Sequence, residues 1–139
     1  LEARARARGL SAVVRFAGRV PHRELPALLA SAAVAVSCAR SDSTSISLLE
    51  AMASGATPVV TDLPGNREWI DDGVEGRLFP PGDATALADA LVFVLTDPGF
   101  RPAARLRARQ RVERDGDFAR AVGGMLERYA ALAQRGAAA

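Results

Sequence analysis

The run Cys38-Ala39-Arg40-Ser41-Asp42-Ser43-Thr44-Ser45, with Glu50 just beyond it, holds the side chains best placed for chemistry in this 139-residue sequence. It lies between a short apolar stretch, Ala33–Ser37, and a helical pattern that begins at Ile46. A polar loop of small residues entering a helix suits anion binding. The first backbone N–H groups of the helix lack intrahelical acceptors, and the macrodipole favours negative charge there. Ser43, Thr44 and Ser45 add hydroxyl donors. A plainer reading of the same residues is that Ser45 caps the helix and the loop is solvated.

Glu50 adds a second signal. At about 100° per residue it borders the stripe formed by Ile46, Leu49 and Ala53, with the small residues Ser47 and Ser54 beside it. A carboxylate next to a buried face requires a partner. Arg40 or Arg67 could supply it as an ion pair, or a ligand could supply a pair of hydroxyls. Asp42 belongs to the same loop–helix unit, separated from Glu50 by seven residues.

The elements that must position these residues alternate between two periodicities. Leu1 to about Arg8 reads as the tail of a helix ended by Gly9, and Ala12–Ala17 as a strand. A helix from His22 to about Ala30 carries Leu25, Leu28 and Leu29 at helical spacing. Ala33–Ser37, Thr57–Thr61 and Gly76–Phe79 read as short strands, the first suited to a buried parallel sheet. Helices are expected over Ile46–Ser54, Asn66–Asp71 and from Asp83, a good N-cap, to Pro98. A basic helix follows over about Arg101–Arg114. A last helix places Phe118, Val122, Met125, Tyr129 and Leu132 on one stripe, a pattern for packing on a core rather than for a coiled coil. Strands alternating with helices predict an α/β fold, a Rossmann-like parallel sheet with flanking helices. Residues 1–139 read as one partial domain, with residues 98–135 as C-terminal helices within it.

Composition narrows the function classes. Just under half the residues are hydrophobic, enough for a core at this length. A net charge of +2 gives no reason to expect nucleic acid. The lone cysteine, Cys38, forms no internal disulfide, which fits a reducing cytoplasm. No apolar run reaches the roughly 20 residues of a membrane span. No His/Cys/Asp/Glu cluster has metal-ligand spacing, so no metal and no cofactor are expected. His22 reads as a surface residue and Trp69 as a packing one. The arginines from Arg101 to Arg114 read as a solvated face, with docking to anionic lipid or to another domain as the alternative.

Five motifs in order carry a family resemblance. Val14-Arg15-Phe16-Ala17-Gly18-Arg19-Val20-Pro21 resembles the third strand of the C-terminal domain in GT-B glycosyltransferases of the family 4 type. Ser41–Gly55 resembles that family's signature of two acidic residues with seven between. Thr57-Pro58-Val59-Val60-Thr61-Asp62, Leu63-Pro64-Gly65-Asn66-Arg67-Glu68 and Gly76-Arg77-Leu78-Phe79-Pro80-Pro81-Gly82-Asp83 resemble the strand, Gly-rich turn and closing strand that follow. The match runs from about Val13 to Leu95. It departs at Asp42, where the family usually has Glu, and at Ser43-Thr44-Ser45, where Gly-aromatic-Gly is usual.

The resemblance implies retaining transfer of a sugar from a nucleotide-diphosphate-sugar donor to a hydroxyl acceptor, with this chain as the donor-binding part. Glu50 would accept the ribose hydroxyls. Amides near Ser45 and Ile46, with Ser43 and Thr44 alongside, would hold the diphosphate. Asp42 would face the donor sugar as the catalytic residue, and Arg40 would line the pocket. Strand order 3-2-1-4-5-6 is implied, with Ala12–Ala17 as strand 3 and the first two strands missing from this sequence. An N-terminal acceptor domain is the implied partner. A cytoplasmic location follows, with a peripheral place at the membrane face as a variant. The rival readings are a nucleotide-sugar epimerase of the same fold and a non-catalytic nucleotide-sugar-binding or interaction module.

Overall fold

The computed structural model describes residues 1–43, 45–116 and 118–137. Three parallel strands, β1 (Val34–Ser37), β2 (Thr57–Thr61) and β3 (Arg77–Phe79), form a sheet in that spatial order. Val34 pairs with Thr57 and Ser37 with Val60; Val59 pairs with Arg77 and Thr61 with Phe79. Consecutive parallel strands require crossovers, and helices supply them. The crossovers run through α3 (Ile46–Ser54) and through the short α4 (Pro64–Arg67) with the loop after it. Before the sheet come α1 (Glu2–Ala7), a 3-10 turn (His22–Glu24) and α2 (Leu25–Ser31). After it come α5 (Ala84–Thr96), α6 (Phe100–Asp115) and α7 (Phe118–Ala137).

The local chemistry accounts for the boundaries. Gly55, in the left-handed region at φ 83°, ends α3, and the Ala56 amide closes back on Ala51. The Asp83 carboxylate accepts the Thr85 and Ala86 amides at 3.0 and 2.9 Å and starts α5. Asp97 does the same for α6, accepting from Gly99 and Phe100.

Every residue of β2 is buried, because the strand is covered on both faces. Successive side chains of a strand point to opposite faces. Val60 accordingly packs with Leu48, Met52, Ile70 and Ala108, and Val59 with Phe79, Ala90 and Val94. The first cluster joins β2 to α3 and α6, and the second joins it to α5. Each fully buried Val or Met stabilises the fold by about 1.5–3 kcal/mol. Trp69 packs against the first cluster, as its sequence context suggests.

The structure corrects three expectations. Ala12–Ala17 forms no strand; residues 14–18 have no regular structure. A strand needs a neighbouring strand to take its hydrogen bonds, and among the described residues none pairs with this segment. Val13, Val14 and Phe16 are left exposed. Next, the buried face of α3 runs through Leu48, Ala51 and Met52, while Ile46 and Ala53 are exposed and Leu49 is only half-buried. Val60 of β2 and Ala108 of α6 cover the side of α3 that carries Leu48 and Met52. Last, of the stripe expected to pack α7 on the core, Met125 and Tyr129 are exposed, as is Leu126 beside them, and Phe118 and Leu132 lie outside the residues whose side chains are described.

No described strand pairs with the outer edge of β1, and Val36 on it is 48% exposed. Such an edge templates pairing with another chain. The 139-residue chain on its own is therefore expected to self-associate in sedimentation velocity, and Val36→Lys to reduce that association. A single monomeric species with a cooperative melt would contradict this.

Candidate functional site

The loop that follows β1 is tied to the end of β2 before it reaches the helix. The Thr61 hydroxyl donates to the Ala39 carbonyl at 2.7 Å, and the Asn66 side-chain amide donates to the Thr61 carbonyl at 2.8 Å. Asn66 is 2% exposed, so this bond forms away from water, where it is hard to replace. Its Oδ1 has no partner among the described residues. Beyond Ala39 the chain passes directly against α4. A Cβ built on Gly65 would stand 1.6 Å from the Ser43 carbonyl oxygen and 3.2 Å from that of Asp42. Only glycine permits that approach.

Asp42 and Ser43 are exposed on this crossing. Thr44 lies outside the described residues. Ser45 is buried, and its hydroxyl accepts the Leu48 amide at 3.3 Å, so the capping reading holds for this residue. The Leu49 amide reaches the Ser45 carbonyl. No described residue accepts the amides of Ile46 and Ser47, whose side chains are exposed. Among the described residues, two donors without an acceptor thus stand at the positive end of a nine-residue helix.

Glu50 lies one turn further along α3, half-buried. The structure corrects its expected ion-pair partners. Its Oε1 is 3.7 Å from His22 Nδ1, and neither Arg40 nor Arg67 is its partner. Arg67 instead clasps Asp62 through Nε to Oδ1 and through Nη2 to Oδ2, the latter at 2.7 Å. His22 is a surface residue, its side chain 83% exposed, so its hold on Glu50 is weak. Glu50 faces a cavity of about 330 Å³ lined by His22, Leu25, Pro26, Leu29, Ala53 and Ser54. Arg40 is placed elsewhere. With Cys38, Phe79, Gly82 and Asp83 it lines a cavity of about 240 Å³ at the turn into α5. Asp42, Ser43 and Ile46 are thus exposed around the head of α3 with Ser45 buried among them, while Glu50 lines the cavity beside α2 and Arg40 lines the one at the β3–α5 turn.

The arginine-rich helix keeps Arg105, Arg107, Arg109 and Arg114 exposed, in line with a solvated face, while Arg111 is largely withdrawn. Arg109 pairs with Glu113, Arg114 with Asp115, and Arg111 reaches across to Asp71 and Glu75. The Arg105 guanidinium lies over Gly55. Among the described residues no group of three or more His, Cys, Asp or Glu is placed to hold a metal ion. No described helix is long and apolar enough to cross a membrane.

With this geometry in place, comparison with known proteins gives the class. The family model described as "Glycosyl transferases group 1" matches residues 1–112, and the chain belongs to that family. It is 42% identical over 101 residues to the phosphatidyl-myo-inositol mannosyltransferase of Mycobacterium leprae, covering 70% of this chain and 26% of that protein. It is 36% identical over 104 residues to the glycogen synthase of Mycobacterium tuberculosis, covering 75% of this chain and 25% of that one. The chain thus spans about a quarter of the length of these relatives. Among solved structures, sucrose-phosphate synthase from Thermosynechococcus elongatus superposes with a TM-score of 0.88 at 26% identity, over 96% of this chain and 34% of the other. Anabaena Alr3699/HepE, in complex with UDP and glucose, superposes with a TM-score of 0.84 at 22% identity, over 94% of this chain and 35% of the other. The three-stranded parallel sheet with its helices is part of a GT-B, Rossmann-like glycosyltransferase fold.

Two outcomes follow. Gly65→Ala is expected to destabilise the fold by about 2 kcal/mol or more, because the clash is with backbone rather than with a movable side chain. It should also shift the Asp42–Ser43 amide resonances; an unchanged melt and spectrum would contradict the close approach. The second concerns Asp62. The hydrogen bond from Arg67 holds its carboxyl below the ordinary carboxylate range, partial burial opposes this, and Coulomb attraction to Arg67 adds to it. A depressed carboxyl contributes stability above its unfolded pKa, about 3.9, and loses it as pH falls through the folded value. Asp62→Asn should therefore show a shallower loss of stability below about pH 4 than the unmodified protein. An identical acid limb in chemical denaturation would show the pair to be inert.

Proposed function

We propose that this chain is the donor-binding part of a retaining glycosyltransferase that moves a sugar from a nucleotide-diphosphate donor to a hydroxyl acceptor. The observation that carries the reading is the surface at the head of α3. Two unpaired amides, Ile46 and Ser47, stand beside an exposed carboxylate, Asp42, with a half-buried carboxylate, Glu50, one turn below. Ligands of open α/β sheets bind beyond the carboxyl ends of the strands, where this surface lies. Membership of the glycosyltransferase family and the UDP complexes of a structural neighbour support the same reading.

Each residue then has a distinct task. The Ile46 and Ser47 amides, with Ser43, Thr44 and Ser45 around them, hold the diphosphate at the positive end of the helix. Glu50 exchanges its weak contact with His22 for two ribose hydroxyls, which donate to its carboxylate. Asp42 orients the donor sugar. Arg40, turned towards Asp83, is the least tied to this site.

In the reaction the bond from the anomeric carbon to the β-phosphate oxygen breaks, and the electron pair leaves with the diphosphate. The acceptor oxygen bonds to the anomeric carbon on the same face and passes its proton to the departing diphosphate oxygen. The leaving charge grows where the amides already point, so they bind the transition state more tightly than the ground state. In this reading backbone donors meet that charge, and no metal is assigned to it. The acceptor is bound by another domain of the complete protein. A cytoplasmic location, at the source of nucleotide sugars, accords with this chemistry.

Glu50→Gln in the complete protein should weaken binding of the donor nucleotide by about 1.5–3 kcal/mol, the worth of charge-assisted hydrogen bonds, with the melting temperature unchanged. Calorimetric titration and a thermal melt decide it. Unchanged affinity with a lowered melting temperature would make Glu50 a structural partner of His22 and remove its assigned role.

A further inference from the structure

We propose that Arg111 is a positioning residue for the donor site, acting from α6 by fixing the distance between α3 and α4; this rests on the reading of the α3 head as the nucleotide-diphosphate site. Arg111 makes three contacts, all with the segment that follows α4. Its Nη1 is 2.8 Å from Asp71 Oδ2 and 3.2 Å from Glu75 Oε1, and its Nη2 donates to the Glu68 carbonyl at 3.0 Å. Glu75 in turn accepts the Asp71 amide at 2.9 Å. Glu75 is 7% exposed, and Arg111 is the cation paired with it at that depth. Burial works against the charge on Arg111, but its hydrogen bonds to Asp71 and Glu75 and their Coulomb attraction outweigh it and raise its pKa.

The cluster spans elements that the site needs in register. One turn before Arg111, the buried Ala108 packs α6 against Leu48 and Met52 of α3. The Glu68 carbonyl that Arg111 holds belongs to the C-cap residue of α4. Within α4, Gly65 touches the Ser43 backbone and Asn66 binds the end of β2. One helix therefore grips α3 by an apolar contact and α4 by a guanidinium fork, and the Asp42–Ser43 crossing lies between the two. A guanidinium spans a carbonyl and two carboxylates at fixed angles, which an ammonium cannot do. Arg109, half a turn away on α6, instead pairs with Glu113 within its own helix.

The test uses the complete protein, with UDP and GDP as probes. Affinity is measured by calorimetry well below the melting transition, where every variant is folded. Arg111→Ala should raise the Kd of the nucleotide that binds the unmodified protein by about tenfold or more, since a small misplacement of a distant support is felt at the site. Millimolar methylguanidinium should recover part of that loss, and Arg109→Ala should leave the Kd unchanged. Should Arg111→Ala not fold, Arg111→Lys takes its place, with a raised Kd again expected. A folded Arg111 variant with unchanged Kd and only a lowered melting temperature would make the cluster a brace and overturn the proposal. Failure of the unmodified protein to bind either nucleotide would overturn the reading of the site itself, and this proposal with it.

Discussion

Two stretches of backbone cross at Ser43 and Gly65 with no room for a methyl group between them, and the arrangement of the site depends on that crossing. One stretch leaves the end of β1 and the other leaves the end of β2. Parallel strands release their loops on the same side, so consecutive loops in this sheet are neighbours in space. Three hydrogen-bonded links then fix how the two loops meet: Thr61 to Ala39, Asn66 to Thr61, and Arg67 to Asp62. The polar surface at the head of α3 is thus supported from behind by backbone and buried amide contacts. In the proposed reading this support holds the donors in place before a ligand arrives, which is the preorganisation that charge stabilisation requires.

The division of labour among the charged groups follows burial. Pairs such as Arg109–Glu113 and Arg114–Asp115 are largely exposed and contribute little to stability. Arg111 and Glu75 are largely withdrawn from water, while Asp71 is exposed, and losing Arg111 would leave Glu75 buried without its ion-pair partner. Glu50 is intermediate. It sits beside a cavity lined mostly by apolar side chains and keeps only a 3.7 Å contact with an exposed histidine. A carboxylate so weakly engaged is available to a ligand, whereas the carboxylates of Asp62 and Glu75 are already committed to arginines.

The parts of the fold legible in the sequence are those governed by local rules. The runs Ala33–Ser37 and Thr57–Thr61, the Gly55 stop and the Asp83 cap each carry their instruction within a few residues, and β1, β2, α3 and α5 form as read. The misreadings share a different cause. Val14 and Phe16 have strand-like chemistry, but a strand exists only with a neighbour, and the sequence of one segment does not report its neighbour. The α7 stripe is periodic enough for a core-facing helix, yet periodicity does not say which surface it faces. The candidate site was legible at the α3 head because a polar loop before a helix is a local pattern. Its supports were not: Arg111 meets Glu68, Asp71 and Glu75 across 36–43 residues of sequence, and in a helix full of arginines nothing local distinguishes it.

The most direct measurement is a crystal structure of the complete protein with a bound nucleotide diphosphate. The account predicts diphosphate oxygens within hydrogen-bonding distance of the Ile46 and Ser47 amides, ribose hydroxyls on Glu50 in place of His22, and Gly65 still seated on Ser43. A nucleotide bound away from the head of α3, with Glu50 still against His22, would contradict it.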